Sequence, residues 1–167
     1  EDLQKISDYI SPHLLNIGAA TDGCIGTYIR YNTDIMPSTA GIFYTKLKDN
    51  GGLEEFPCTD ISLYDPDDTE HVGWYYIPRD AGEPTWMLPY QNENIGVYMI
   101  SYIIPLELDG QFIGIIGMDI EFSMLEQIVA DIVAYKEGYA YLTDDEFNII
   151  YHPMLPKGTS PAQEGIV

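Results

Sequence analysis

The chain has 167 residues, 46% of them hydrophobic, and sets 7 Lys and Arg against 27 Asp and Glu for a formal net charge of -20. That length suits one sizeable core with a short annex, and the composition excludes a disordered chain. A surface this acidic repels phosphate backbones and anionic headgroups, so nucleic acid is excluded as a partner, and the bland reading of the charge is solubility.

No apolar run approaches the ~20 residues needed to cross a bilayer, and Glu1-Asp2-Leu3 does not read as a signal peptide. A membrane receptor would therefore carry its spans outside this sequence. Cys24 and Cys58 allow one disulfide or two free thiols. With no Cys-x-x-Cys and no Cys/His cluster, neither a zinc site nor a redox motif is supported.

In chain order, Leu3, Ile6, Ile10, Leu14 and Ile17 recur at helical steps, with Pro12 predicting a kink or a restart capped by Ser11. Cys24 to Asn32 and Gly41 to Leu47 read as neighbouring strands, joined through a loop at Pro37-Ser38-Thr39-Ala40. A polar segment from Asp49 to Asp68 follows, and Asp68 or Thr69 can cap a short helix carrying Trp74 and Tyr75. Three strands come next, Thr85 to Tyr90, Val97 to Leu108 and Phe112 to Phe122, with Asp109-Gly110 as a tight hairpin turn.

Ser123-Met124-Leu125-Glu126 has the form of a capping box. The stripe Leu125, Ile128, Val129 and Ile132 predicts a helix ending near Gly138. Tyr139 to Leu142 and Asn148 to Pro153, around an acidic turn, predict a final hairpin. The whole order is an α+β fold, a long N-terminal helix plus an antiparallel sheet of PAS-like type with a helical loop insertion.

Strand alternation singles out one acid. From Phe112 to Phe122, Ile113, Ile115, Gly117, Asp119 and Glu121 share a face that is apolar over several residues, in a strand expected at or near the sheet's centre. A carboxylate there must be hydrogen-bonded, paired or set at a cavity mouth. The bland alternative is that Asp119 caps a turn. Trp74, Tyr75, Trp86 and Tyr90 form an aromatic series able to wall a pocket and attract cations, although Trp86 alone reads better as core.

Nothing signals an enzyme: His13, His71 and His152 lie far apart with no nucleophile motif beside them, and Gly110 to Gly117 lacks a dinucleotide-site pattern. No cofactor and no metal is expected, because the acidic run Asp65 to Glu70 lacks the glycine and spacing of a calcium loop. Two rival readings remain. An enzyme on a mixed sheet rests on Asp119, Glu121 and the histidines, and an interaction or adhesion module rests on the acidic, tyrosine-rich surface. The adhesion reading predicts no enclosed pocket around Trp74, Tyr90 and Asp119.

Four segments taken in order, Gly73-Trp74-Tyr75-Tyr76-Ile77-Pro78, Pro84-Thr85-Trp86-Met87-Leu88-Pro89-Tyr90, Ile100-Ser101-Tyr102-Ile103-Ile104-Pro105 and Gly114-Ile115-Ile116-Gly117-Met118-Asp119-Ile120, carry a family likeness. Over residues 1 to 153 the chain resembles the double Cache extracytoplasmic sensor of bacterial and archaeal chemoreceptors, sensor histidine kinases and diguanylate cyclases. The resemblance implies a membrane-distal PAS-like module at 1–137 with an N-terminal stalk helix, and the truncated start of a membrane-proximal module at 138–167. It also implies a membrane-anchored whole protein that pairs as a homodimer through the N-terminal helix.

The same resemblance makes Trp74, Tyr75, Tyr90, Asn92 and Asp119 ligand-binding residues, with Asp119 accepting a ligand ammonium group. Asn92 stands where members often carry an acid. Val72 stands where amino-acid-binding members carry the arginine that grips the ligand carboxylate. Arg30, Lys46 or Arg79 could supply that positive charge from elsewhere, although each, as a scattered residue, reads better as a solvated surface group. The expected ligand is a small molecule, an amine or amino acid-like compound, with quaternary ammonium ions and neutral nucleobases left open.

Overall fold

The sequence builds α1 (Asp2–Ala20), β1 (Cys24–Tyr31), β2 (Gly41–Thr45), β3 (Glu54–Glu55), a 3-10 turn at Ile61–Leu63, α2 (Thr69–Ala81), β4 (Thr85–Trp86), β5 (Tyr90–Asn92), β6 (Val97–Leu108), β7 (Gln111–Glu121), α3 (Phe122–Ala130), β8 (Leu142–Thr143) and β9 (Ile149–Tyr151). The structure, a computed structural model, describes residues 2–46, 51–93, 95–133, 135–136 and 138–157. The chain divides into two compact units, Glu1–Glu121 and Phe122–Val167.

The first unit is a seven-stranded antiparallel sheet in the order β3-β2-β1-β7-β6-β4, with β5 also paired to β6. Asp109 and Gly110 join β6 to β7 as a two-residue turn with φ of 53° and 76°, the left-handed pair that a tight hairpin needs. The expected strand at Thr85 to Tyr90 is two shorter ones, β4 and β5: the Met87 N–H still bonds the Ser101 carbonyl at 2.9 Å, and the chain leaves the ladder at Leu88 and Pro89, the latter with no N–H to give. The expected end of β2 at Leu47 lies outside the described residues.

Helix α1 covers one face of the sheet. Leu14 packs there with Cys24, Ile29, Tyr31, Ile42, Tyr44 and Leu53. Polar ties fix the contact: Ser7 Oγ meets Tyr31 Oη at 2.7 Å, Ser11 Oγ meets Tyr44 Oη at 2.6 Å, and Thr27 Oγ1 donates to the Leu14 carbonyl at 3.2 Å. The helix runs through Pro12 without a restart, so Ser11 is not a cap. Its hydroxyl serves the sheet instead.

The opposite face packs Tyr28, Ile103 and Ile115 against Val72, Trp74 and Tyr75 of α2. Asp68 caps α2 by accepting from the His71 N–H, and Gly82 ends it in the left-handed conformation at φ 66°. Burying a side chain such as Ile103 or Ile115 completely stabilises the sheet by roughly 1.5–3 kcal/mol each. A register shift between Cys24 and Gly26 turns Cys24 toward α1 while leaving Gly26, Tyr28 and Arg30 on the α2 side.

In the second unit, α3 starts at Phe122, so the capping-box serine lies inside its first turn, and it ends at Ala130, eight residues before Gly138. Ile128 and Ile132 of the expected stripe are exposed, which explains why the apolar periodicity did not carry the helix further. Strands β8 and β9 pair only with each other, as a separate two-stranded sheet. Both cysteines are free, Cys24 buried and Cys58 partly so.

Candidate functional site

The site grows from the α2-facing side of three adjacent strands. Register pairs Gly26 with Asp119 and Tyr28 with Gly117 across β1 and β7, and Ser101 with Asp119 across β6 and β7. With a two-residue side-chain period, Gly26, Tyr28, Arg30, Ser101 and Asp119 all project from one face. Glycines make the room. A Cβ on Gly26 would stand 3.0 Å from Asp119 Oδ2, and one on Gly117 would stand 2.6 Å from Tyr28 Oη, so Tyr28 lies flat across the strand beside the acid.

Asp119 is 3% exposed. Its Oδ1 accepts from Ser101 Oγ at 2.7 Å, and Ser101 Oγ in turn lies 3.0 Å from Tyr90 Oη. Because Ser101 has spent its only proton on Asp119, Tyr90 donates to it, and both hydroxyl protons run toward the carboxylate. Burial pushes the Asp119 carboxyl up to about 7, held from rising further by the Ser101 hydrogen bond and the neighbouring Tyr28 hydroxyl. The Tyr28 and Tyr90 phenols are pushed up by the same burial and by the acid beside them.

Tyr28, Trp74, Tyr90, Asn92 and Asp119 line a cavity of about 30 Å³, closed by Phe43, Thr59, Ile95 and the side chain of Arg30. Trp74 stands edge-on to Tyr28 with ring centroids 5.5 Å apart, its indole N–H held by the His71 carbonyl at 2.7 Å. Four of the five residues expected to bind ligand thus meet in one place. The fifth, Tyr75, is fully buried outside the lining. Its hydroxyl donates to the Tyr31 carbonyl at 3.3 Å and its ring packs on Tyr76 and Phe112. Trp86, read as core, is 57% exposed and lies on Tyr102.

Arg30 corrects a second expectation. It is not a solvated surface group but is 2% exposed, its Nη2 donating to the Ser38 and Thr59 carbonyls at 2.7 and 2.6 Å and its Nε to Ala40 at 3.3 Å. The guanidinium carbon lies 5.5 Å from the Trp74 ring centroid. Burial lowers its pKa, opposed by the nearby Cys58, Tyr75, Tyr28 and Asp60. Val72, where the resemblance expects an arginine, is completely buried in the apolar core, so the cavity's cation comes from β1 instead of α2.

Residues 12–127 match the family model described as methyl-accepting chemotaxis protein-like, first PDC sensor domain. The chain belongs to this family.

Among relatives of this PDC sensor domain, chemotaxis protein TlpQ of Pseudomonas aeruginosa is 36% identical over 85 residues, which is 47% of this chain and 12% of that protein. Chemotaxis protein PscA of Pseudomonas syringae pv. tomato is 28% identical over 90 residues, 54% of this chain and 14% of that protein. The PDC domain therefore spans a small fraction of these relatives' length.

Two of the solved structures that share its fold are chemoreceptor domains. The sensory domain of the Campylobacter jejuni chemoreceptor Tlp3 has a TM-score of 0.62 at 20% identity, covering 96% of this chain and 60% of that one. The Tlp3 ligand-binding domain in complex with L-valine has a TM-score of 0.60 at 20% identity, covering 98% and 55%.

Within this PDC domain the arrangement offers an anionic anchor in a buried, largely aromatic cavity, with a guanidinium on the same face. Buried charge-assisted hydrogen bonds of this kind are stronger than their counterparts in water. The enclosed cavity is what the adhesion reading predicted would be absent.

The sequence reading missed Tyr28, Phe43, Thr59 and Ile95, and it named Arg30 as a possible source of positive charge but favoured the surface for it. A signal existed for Arg30: it is the lone charge in Cys24–Tyr31, whose eight residues are all buried, and the alternation argument that picked out Asp119 applies to it unchanged. Thr59 and Ile95 come from loops with no periodicity to read.

Proposed function

We propose that this PDC domain is the extracytoplasmic ligand-binding sensor of a membrane-anchored signalling receptor, and that it detects a small amine or amino acid-like molecule held between the sheet and α2. The observation that carries the reading is the buried Asp119, whose Oδ1 is engaged by Ser101 while the carboxylate faces an aromatic cavity. A cationic head seated there is held by charge-assisted hydrogen bonds and by the ring faces of Trp74 and its neighbours. Arg30 supplies a donor for an accepting group on the same molecule. The complex of the fold-sharing Tlp3 domain with L-valine agrees with this class of ligand.

The receptor's membrane spans and output domain, whether chemoreceptor, kinase or cyclase, belong to the larger protein. The β8–β9 hairpin is the opening of a second, membrane-proximal module, with 1–137 as the distal one. Along α1, Tyr9 and Ile17 are exposed and the Tyr9 ring lies tilted against His13 with centroids 5.2 Å apart, a stripe at helical spacing that suits pairing of two copies. Ligand closure of the cavity acts on the sheet that α1 covers, with at most the ligand's differential affinity for the two states available to shift it.

Thermal unfolding against amino acids, biogenic amines, quaternary amines, nucleobases and small carboxylates tests the reading. At ~100 times Kd a ligand contributes about 2.7 kcal/mol, a rise of several degrees in Tm. The expected result is a shift from amines or amino acids that disappears in Asp119→Ala. An unchanged shift in that variant, or a shift from carboxylates and nucleobases alone, would refute the site.

A further inference from the structure

We propose that the Tyr28 hydroxyl is a specificity contact that makes the cavity select a primary ammonium group over its N-methylated forms. This rests on the reading of Asp119 as an ammonium anchor and narrows it.

Tyr28 is 4% exposed and lines the cavity, and its buried Oη receives no hydrogen bond from a protein donor, while its own proton has the Asp119 carboxylate beside it. A buried phenol oxygen that receives no hydrogen bond keeps acceptor capacity for a group supplied from outside. The surrounding protons are already placed. Ser101 donates to Asp119 Oδ1 and Tyr90 donates to Ser101, so this chain of hydroxyls has no donor left to turn toward Tyr28. On the same side, Asp119 Oδ2 faces the room left by Gly26, with the Tyr28 hydroxyl beside the carboxylate.

With the Tyr28 proton turned to the carboxylate, the lone pairs left on Asp119 and on Tyr28 Oη are two adjacent acceptors within a largely aromatic enclosure. A primary ammonium carries three N–H donors and satisfies both at once. Each N-methyl group removes one donor, and a trimethylammonium leaves both acceptors buried and unmatched. Cation–π attraction to Trp74 and Tyr28 acts on all these heads alike, so it does not separate them.

Calorimetric titration of this chain with butylamine, N-methylbutylamine and N,N,N-trimethylbutylammonium, and with L-alanine and its N-methyl and N,N,N-trimethyl derivatives, tests the inference. In the wild-type chain, affinity falls roughly tenfold to a hundredfold from the primary to the trimethylated member of a binding scaffold. Tyr28→Phe keeps the ring contacts, leaves the urea midpoint unreduced, weakens the primary head about tenfold and flattens the series.

Equal affinity across the series, or a primary amine bound unchanged by Tyr28→Phe, would overturn the inference and leave the sensor reading standing. A steep series that Tyr28→Phe does not flatten would assign the discrimination to cavity size and likewise overturn it. If no member of either scaffold binds, the ammonium-anchor reading itself fails, and this inference with it.

Discussion

Replacing Asp119 by asparagine should make the protein more stable at neutral pH and leave it nearly unchanged in acid. In the native state burial holds the Asp119 proton up to about pH 7, whereas the unfolded chain releases it near the ordinary 3.8. The acid's stabilising contribution is thus fully present below pH 3.8 and is lost as pH rises through about 7, because over that window the unfolded state sheds a proton that the folded state keeps.

The difference of about three pH units, at ~1.36 kcal/mol per unit, amounts to about 4 kcal/mol. Asparagine does not titrate. Its carbonyl can accept from Ser101 as Oδ1 now does, and its amide can donate to Tyr28 Oη where the carboxylate accepts from it. Urea unfolding of both proteins at pH 4, 5, 6, 7 and 8, without ligand, should show the stability of Asp119→Asn relative to wild type climbing to about 4 kcal/mol by pH 8. A difference that stays flat within about 0.5 kcal/mol, or falls with pH, would refute the assignment of a buried, proton-holding carboxyl.

The same proton competes with a cationic ligand, so calorimetry should find ammonium affinity falling about tenfold per pH unit below ~7, with one proton released per ligand bound. Gly117→Ala places a methyl against the Tyr28 ring and hydroxyl; unfolding should show a loss of about 1–3 kcal/mol, and ligand-induced Tm shifts should vanish. Arg30→Met leaves the Ser38, Ala40 and Thr59 carbonyls without their donor, for a loss of about 3 kcal/mol; a urea midpoint unchanged from wild type would show that these bonds contribute nothing.

The sheet was legible because its signals are local: alternation in β6 and β7, the Asp109-Gly110 turn, and Asp68 at the start of α2 each follow from a few residues. The acid of the site was legible for the same reason, since Asp119 interrupts an apolar face. What escaped depends on partners distant in sequence. Pro12 signals a break, but Ser7, Ser11 and the Leu14 carbonyl tie the helix to the sheet on both sides of it. Arg30 looks solvent-bound until the loops carrying Ser38 and Thr59 are folded over it. Tyr75 shares the sequence neighbourhood of Trp74 but points into the core, since adjacent residues on a helix face about 100° apart.

All eight residues of β1 are buried, alternate ones committed to the helix on one side and to the cavity on the other. A change of side chain on this strand therefore disturbs either the fold or the anchoring chemistry, and none of its positions is left for graded adjustment. Divergence in what the receptor recognises would have to fall on the walls that ride on loops or on the short edge strand, Thr59, Asn92 and Ile95, where a substitution alters the shape of the enclosure and, at Asn92, the hydrogen bond to Tyr90. Descendants of this sequence that respond to different compounds are then expected to share β1 and Asp119 almost unchanged, and to differ at those three positions.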